Sequence, residues 1–204
     1  MTDIAAGHRR NLELKVRCSA ADLDRVLVSL AEGDGPVPVS ARQVDTYFGA
    51  PAGRLKLRVT GPIEPPGAGD APDAAPGPGE GNASATALRE GAELIAYRRP
   101  DDASGRWSAY ELVPVPVGQA DSLTAALALA LGVTGRVVKV RTVVILGMTR
   151  VHLDRVEGQG TFIEVETVAA DRPEGEVTAE FDAVVARLGL GKMAIVAGSY
   201  GDGA

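Results

Sequence analysis

A single cysteine, Cys18, stands among 204 residues. That rules out an internal disulfide and agrees with a reducing compartment. No apolar run approaches the roughly 20 residues that a membrane helix needs, and Met1-Thr2-Asp3-Ile4 lacks the basic-then-apolar layout of a signal peptide. Both absences lead to the expectation of a cytoplasmic protein with no membrane association. Basic charge is in deficit too: 21 Lys and Arg against 27 Asp and Glu leave a net charge of −6. Gripping a nucleic-acid backbone takes a dominating basic surface, so no nucleic-acid partner is expected.

What is present suits one folded unit. With 45% hydrophobic residues, the chain can build one well-packed core, and the expectation is a single domain over residues 1–204. Large apolar residues give out only between Gly61 and Gly91, where Gly, Pro, Ala, Ser and acids take over. Such a stretch cannot offset the entropy of ordering and reads as a disordered insertion. Monomer and homodimer both stay open.

The remaining chain alternates strand and helix signals. Arg10 to Arg17 alternates polar and apolar residues, the period of a half-buried strand. Ser19 then reads as a helix cap, with Asp22 at the capping-box position and Leu23, Val26, Leu27 and Leu30 at helical spacing before Gly33. Arg42–Phe48 and Arg54–Val59 form one predicted hairpin, and 93–99 with 106–113 a second. A helix over 121–131, a long strand over 136–146, and a hairpin of 150–156 with 161–167 follow. A helix over 177–188 buries Val177, Phe181, Val184, Val185 and Leu188, and 192–200 is read as the last stretch before a fraying end.

Strand parity singles out the charged residues. Glu13, Lys15 and Arg17 share one face, as do Arg54, Lys56 and Arg58; Tyr97 and Arg99; Lys139 and Arg141; Arg150, His152 and Asp154; and Glu164 and Glu166. Val151, Leu153, Ile163 and Val165 take the opposite faces, suited to packing under helices. The plain alternative is a set of cross-strand salt bridges on a solvated face. If instead the sheet closes, these faces line a lumen holding a dense basic array and a smaller carboxylate cluster. A highly charged anion would relieve the repulsion among those bases. Forked Arg and point-charge Lys donors suit several phosphates. The carboxylates would repel such a guest unless a cation intervened, which makes Glu13, Glu164, Glu166 and Asp154 candidate oxygen ligands for Mg²⁺ or Mn²⁺. Tyr47, Tyr97 and Tyr110 fall on the same polar parities and could meet a base or ribose, although half-buried aromatics are commonplace. Asp45 can orient a basic neighbour, Trp107 falls on the apolar side, and Cys18 lies on the apolar face beside Leu14 and Val16 as an inert thiol.

These residues carry a resemblance. Asn11-Leu12-Glu13-Leu14-Lys15, Gly53-Arg54-Leu55-Lys56-Leu57-Arg58, Tyr97-Arg98-Arg99-Pro100, Val138-Lys139-Val140-Arg141, Arg150-Val151-His152-Leu153-Asp154, Phe162-Ile163-Glu164-Val165-Glu166 and Ala197-Gly198-Ser199-Tyr200 resemble, in order, the motifs of the CYTH superfamily. That superfamily includes class IV adenylate cyclases, thiamine triphosphatases and inorganic tripolyphosphatases. The resemblance implies an α+β triphosphate tunnel fold, an antiparallel closed β-barrel with helices packed outside. It implies a small-molecule triphosphate substrate and a divalent metal. It also implies roles: Glu13, Asp154, Glu164 and Glu166 at the metal; Lys15, Arg17, Lys56, Arg58, Arg99, Lys139, Arg141 and Arg150 on phosphates; and Asp154, Glu13 and Lys15 at the chemistry. Lys192 stands where some relatives carry a further base. Asn11 replaces the first Glu of the commoner opening motif, as in the class IV cyclase-like branch, and removes one anionic ligand. Implied activities are cyclisation of ATP to cyclic AMP and pyrophosphate, hydrolysis of a triphosphate, or non-catalytic sensing of polyphosphate or nucleotide.

Overall fold

The computed structural model describes residues 9–31, 36–63, 88, 90–99 and 107–203. Most of the Gly61–Gly91 insertion, the predicted stop at Gly33 and the turn after Arg99 lie outside them. Among the described residues nine strands and three α-helices follow one another as β1 (Arg9–Cys18), α1 (Ala20–Ala31), β2 (Val39–Phe48), β3 (Arg54–Gly61), β4 (Gly91–Arg98), β5 (Trp107–Val115), α2 (Ala120–Leu131), β6 (Val133–Leu146), β7 (Thr149–Val156), β8 (Gly160–Val168), α3 (Glu174–Arg187) and β9 (Ala194–Ile195). Among the described residues no helix is long and apolar enough to cross a membrane.

Pairing runs β5-β4-β3-β2-β6-β7-β8-β1, all antiparallel, and a further pairing of β5 with β1 closes the ring. The seam sets Arg9 opposite Tyr110 and Leu12 opposite Trp107. Eight strands thus form a barrel, with β9 added at the edge of β1. Closure gives every strand an inside and an outside, and alternation sorts the residues between them.

The outside is apolar. Leu12, Leu14, Val16, Val144, Val151, Leu153, Ile163 and Val165 pack beneath Leu23, Val26 and Leu30 of α1 and Val177, Phe181 and Val184 of α3. Phe48, Leu57 and Ala92 meet Ala120 of α2 on the other flank. Trp107 and Cys18 join the first cluster at its margin, as parity predicts. Local chemistry sets the helix starts. Asp22 N–H donates to Ser19 Oγ at 3.1 Å and Ser19 N–H to Asp22 Oδ2 at 3.4 Å, the reciprocal capping box read from the sequence. Helix α3 starts after Pro173, carries Glu174 and Glu176 in its first turn and Arg187 in its last, in accord with its dipole.

The final stretch departs from a simple strand. Only Ala194 and Ile195 pair with β1, and after the backbone N–H of Val196 bonds Lys15 O at 2.9 Å the chain turns inward to a 3₁₀ turn at 200–203. Gly198, at φ 83°, takes the left-handed conformation that this turn requires.

Candidate functional site

The inward rows of the eight strands enclose a cavity of about 690 Å³. One end has an apolar floor. Tyr47, Val137, Val156 and Phe162, the inward residues at that end of β2, β6, β7 and β8, cluster with Tyr200 from the tail. Phe162 and Tyr200 meet edge to face at 4.9 Å between centroids. Three amines lie against this floor: Lys15 Nζ 4.0 Å and Lys139 Nζ 5.0 Å from the Tyr200 ring centre, and Lys56 Nζ 5.4 Å from that of Tyr47.

Two buried aspartates organise the bases above it. Asp45 on β2, fully buried, accepts from Lys56 Nζ at 2.9 Å and from Arg58 Nε and Nη2 at 2.7 and 2.9 Å. Asp154 on β7, equally buried, accepts from Lys139 Nζ at 3.2 Å, from Arg141 Nε and Nη2 at 2.7 and 2.6 Å, and from the Tyr200 hydroxyl at 3.0 Å. Each acid holds one Lys and one Arg spaced two residues apart, so a single carboxylate sets two donors on one face. Despite the cost of burial, the neighbouring cations hold both aspartates well below the usual carboxylate range. Burial, with Arg141 close by, lowers Lys139 to about 7. Cross-strand salt bridges do form, but buried within the lumen and not on a solvated face.

A second cluster sits on β1, β7 and β8. His152, Glu164 and Glu166 bring one ligand atom each to within 4.8 Å of one another. His152 Nδ1 lies 3.5 Å from Glu164 Oε2 and its Nε2 3.9 Å from Glu166 Oε2. Lys15 and Arg141 approach Glu164 at 3.4 and 2.9 Å. Burial, with the charges of Glu164 and Glu166, pushes Glu13 up to about 7, against the pull of Arg99, which bonds both Glu13 and the carbonyl of Gly198. Burial and Arg141 push His152 down, favouring the neutral imidazole. One neutral imidazole beside clustered carboxylates is a donor set that fits a divalent cation. Lys15, Arg141 and His152 hold Glu164 well below the usual carboxylate range, and it is Glu13 that burial and its acidic neighbours leave raised. Asn11 supports the fit: it lines the cavity, only 4% exposed, and its Oδ1 has no hydrogen-bond partner.

Of the residues singled out from the sequence, the structure brings Glu13, Lys15, Lys56, Arg58, Arg99, Lys139, Arg141, Arg150, Glu164 and Glu166 to this one cavity. Arg17 is corrected. Its strand runs past the end of the lumen, and the side chain lies outside the cavity lining, donating to Gln159 O at 2.6 Å and stacking over Phe162. Asp154 does not join the His152 and glutamate cluster; its oxygens serve Lys139, Arg141 and Tyr200 instead. Lys192 is exposed on the outside. Parity also left out Gln43 and the second role of the tail. Gln43 stands two positions before Asp45 on the same face, which was the available signal, whereas Tyr200 enters by a turn that no periodicity announces.

The CYTH domain profile matches residues 9–200. No curated protein matches the chain. Among solved structures, the PH1012 protein from Pyrococcus horikoshii is 20% identical with a TM-score of 0.65, covering 94% of this chain and 98% of that one. A proposed adenylate cyclase from Vibrio parahaemolyticus is 15% identical with a TM-score of 0.59, covering 96% and 97%. A chain of the Schizosaccharomyces pombe Mediator head module reaches a TM-score of 0.60 at 12% identity, covering 91% and 97%. At such identities the likeness is one of fold, the closed barrel with helices outside.

Proposed function

This chain belongs to the CYTH family, and from that premise and the charge pattern of its lumen we propose a metal-dependent enzyme of the class IV adenylate cyclase type, converting ATP to cyclic AMP and pyrophosphate. The observation that carries the reading is the convergence of Lys15, Lys56, Lys139, Arg58 and Arg141 on one cavity, each buried or nearly so. Cations are taken out of water at such density for an anionic guest.

In this reading the three amines at the floor hold the far end of the phosphate chain. Arg58 and Arg141, locked by Asp45 and Asp154, present fixed forks to it, with Arg99 and Arg150 completing the grip. Glu13, Glu164 and Glu166, with His152, would hold Mg²⁺ or Mn²⁺, which when bound would supply Lewis-acid stabilisation of phosphate charge. Asp154 is a positioning residue, acting through Lys139 and Arg141. Attack of the ribose 3′-hydroxyl oxygen on the α-phosphorus forms the ring bond, the hydroxyl proton passing to water, and breaks the bond to the bridging oxygen of pyrophosphate. Lys15 and its neighbours then offset the negative charge that develops on the leaving group, in place before the reaction begins.

Incubation with ATP and Mg²⁺ or Mn²⁺, followed by separation of products, tests the proposal. Cyclic AMP with pyrophosphate is expected. Orthophosphate without cyclic AMP would replace the reading by triphosphate hydrolysis, and tight binding without turnover by a sensor.

A further inference from the structure

Among the described residues the lumen opens at one rim. The lining residues that are exposed to solvent are Arg9, Glu90, Pro114, Pro116 and Val117. Arg9 starts β1, Glu90 directly precedes β4, and the other three lie where β5 ends; β5 pairs with both β4 and β1, so these ends stand together.

The opposite end is shut. Tyr47, Val137, Val156 and Phe162 are buried there together with Tyr200. The tail that brings Tyr200 is pinned at three points: the Tyr200 hydroxyl donates to Asp154 Oδ2 at 3.0 Å, Gln159 Nε2 donates to Tyr200 O at 3.1 Å, and Ser199 Oγ donates to the Tyr47 hydroxyl at 2.9 Å.

Charge is divided unevenly between the two ends. Lys15, Lys56 and Lys139 lie buried against the floor, with Arg141 sharing Asp154 beside them. The rim instead mixes Arg9 with Glu90, and Glu93 lines the lumen opposite Pro114. An anion is therefore held most firmly at the blind end. Cyclisation cuts the phosphate chain between its α- and β-phosphorus atoms. It leaves pyrophosphate on the floor amines and cyclic AMP between pyrophosphate and the rim. Cyclic AMP carries a single negative charge and pyrophosphate several, so the product nearer the exit is also the more weakly held.

We propose that the products leave in fixed order, cyclic AMP first and pyrophosphate last, and that pyrophosphate rebinds and blocks the free lumen until a separate reaction consumes it. That reaction is a hydrolysis in which water adds across the bridging P–O–P linkage and gives two orthophosphates. Orthophosphate, with one phosphoryl group, engages fewer of the floor amines. This rests on the cyclase reading above and adds the order of release and the class of reaction that must follow.

Initial rates of cyclic AMP formation by the full chain, with Mn²⁺ in excess over all phosphates, test the order. Pyrophosphate is expected to inhibit competitively against ATP and cyclic AMP to give mixed inhibition. Added inorganic pyrophosphatase should keep progress curves linear for longer. In calorimetric titration, methylenediphosphonate, which cannot be hydrolysed, should bind the wild type about 100-fold more tightly than cyclic AMP does. Lys139→Met and Lys56→Gln should each weaken the diphosphonate about tenfold. Cyclic AMP competitive against ATP, mixed inhibition by pyrophosphate, or equal affinities for the two ligands would overturn the order and leave the cyclase standing. A chain that forms no cyclic AMP would overturn both.

Discussion

Lys139 shows how far one environment reshapes a side chain. It is 1% exposed, and burial lowers its amine to about 7 although Asp154 pulls the other way. A bound polyphosphate adds negative charge beside it and restores the proton. Above neutrality the free lumen carries the amine largely neutral and the occupied lumen carries it charged. Binding therefore takes up a proton, and affinity falls as pH rises from about 7 toward 9. Titration calorimetry in buffers of different ionisation enthalpy should show this uptake in the wild type and its loss in Lys139→Met. Asp154 is the converse case. Replacing it by Asn leaves Lys139 and Arg141 buried without their counter-charge, and urea denaturation should show a loss of about 3–5 kcal/mol. At the proposed metal cluster, Glu164→Gln and Glu166→Gln should each cut metal-dependent turnover by more than about 100-fold while leaving a folded chain. Activity at the wild-type level would remove them from the ligand set.

At the scale of elements, two backbone positions carry more than their size suggests. Gly53, at φ 74° in the β2–β3 turn, stands so close to β4 that an added Cβ would meet Tyr97 O at 2.6 Å. Gly53→Ala combines backbone strain with a collision against a carbonyl that cannot retreat, so a loss of more than about 1 kcal/mol is expected on denaturation. Gly201 lets the tail lie flat on Tyr47; a Cβ there would meet the ring at 2.7 Å. Gly201→Val should lift Tyr200 from the floor and weaken triphosphate binding while sparing the outer core, which near-ultraviolet dichroism and calorimetry can separate. Local chemistry explains the elements themselves: the Ser19 and Asp22 box starts α1, and alternation makes the strands.

For the whole molecule, closure converts eight two-faced strands into a shell with a charged interior. A ligand that binds only the closed barrel stabilises it, by about 2.7 kcal/mol at a hundred times its dissociation constant. Tripolyphosphate with Mn²⁺ should accordingly raise the melting temperature, an effect that Lys56→Gln and Arg141→Gln each diminish. Thr60 stands opposite Gly91, so the chain ends bounding the intervening segment are already neighbours. Replacing residues 64–87 with a short linker should leave the melting temperature within about 3 °C, because loop-closure entropy varies slowly with length.

The alternating rows of Glu13 and Lys15, Lys56 and Arg58, Lys139 and Arg141, and Glu164 and Glu166 were determined by sequence alone, because a strand's period fixes which residues share a face. So was the placement of Leu23, Val26, Phe181 and Val184 toward the barrel, because helical period leaves them one apolar stripe. What those rows meet was decided only by tertiary structure. Whether Asp154 serves a cation or the two bases on its neighbouring strand, whether Arg17 reaches the lumen, and where Tyr200 comes to rest depend on contacts across strands and from the tail. Such contacts have no period to read; they exist only once the strands have paired in register and the tail has turned inward.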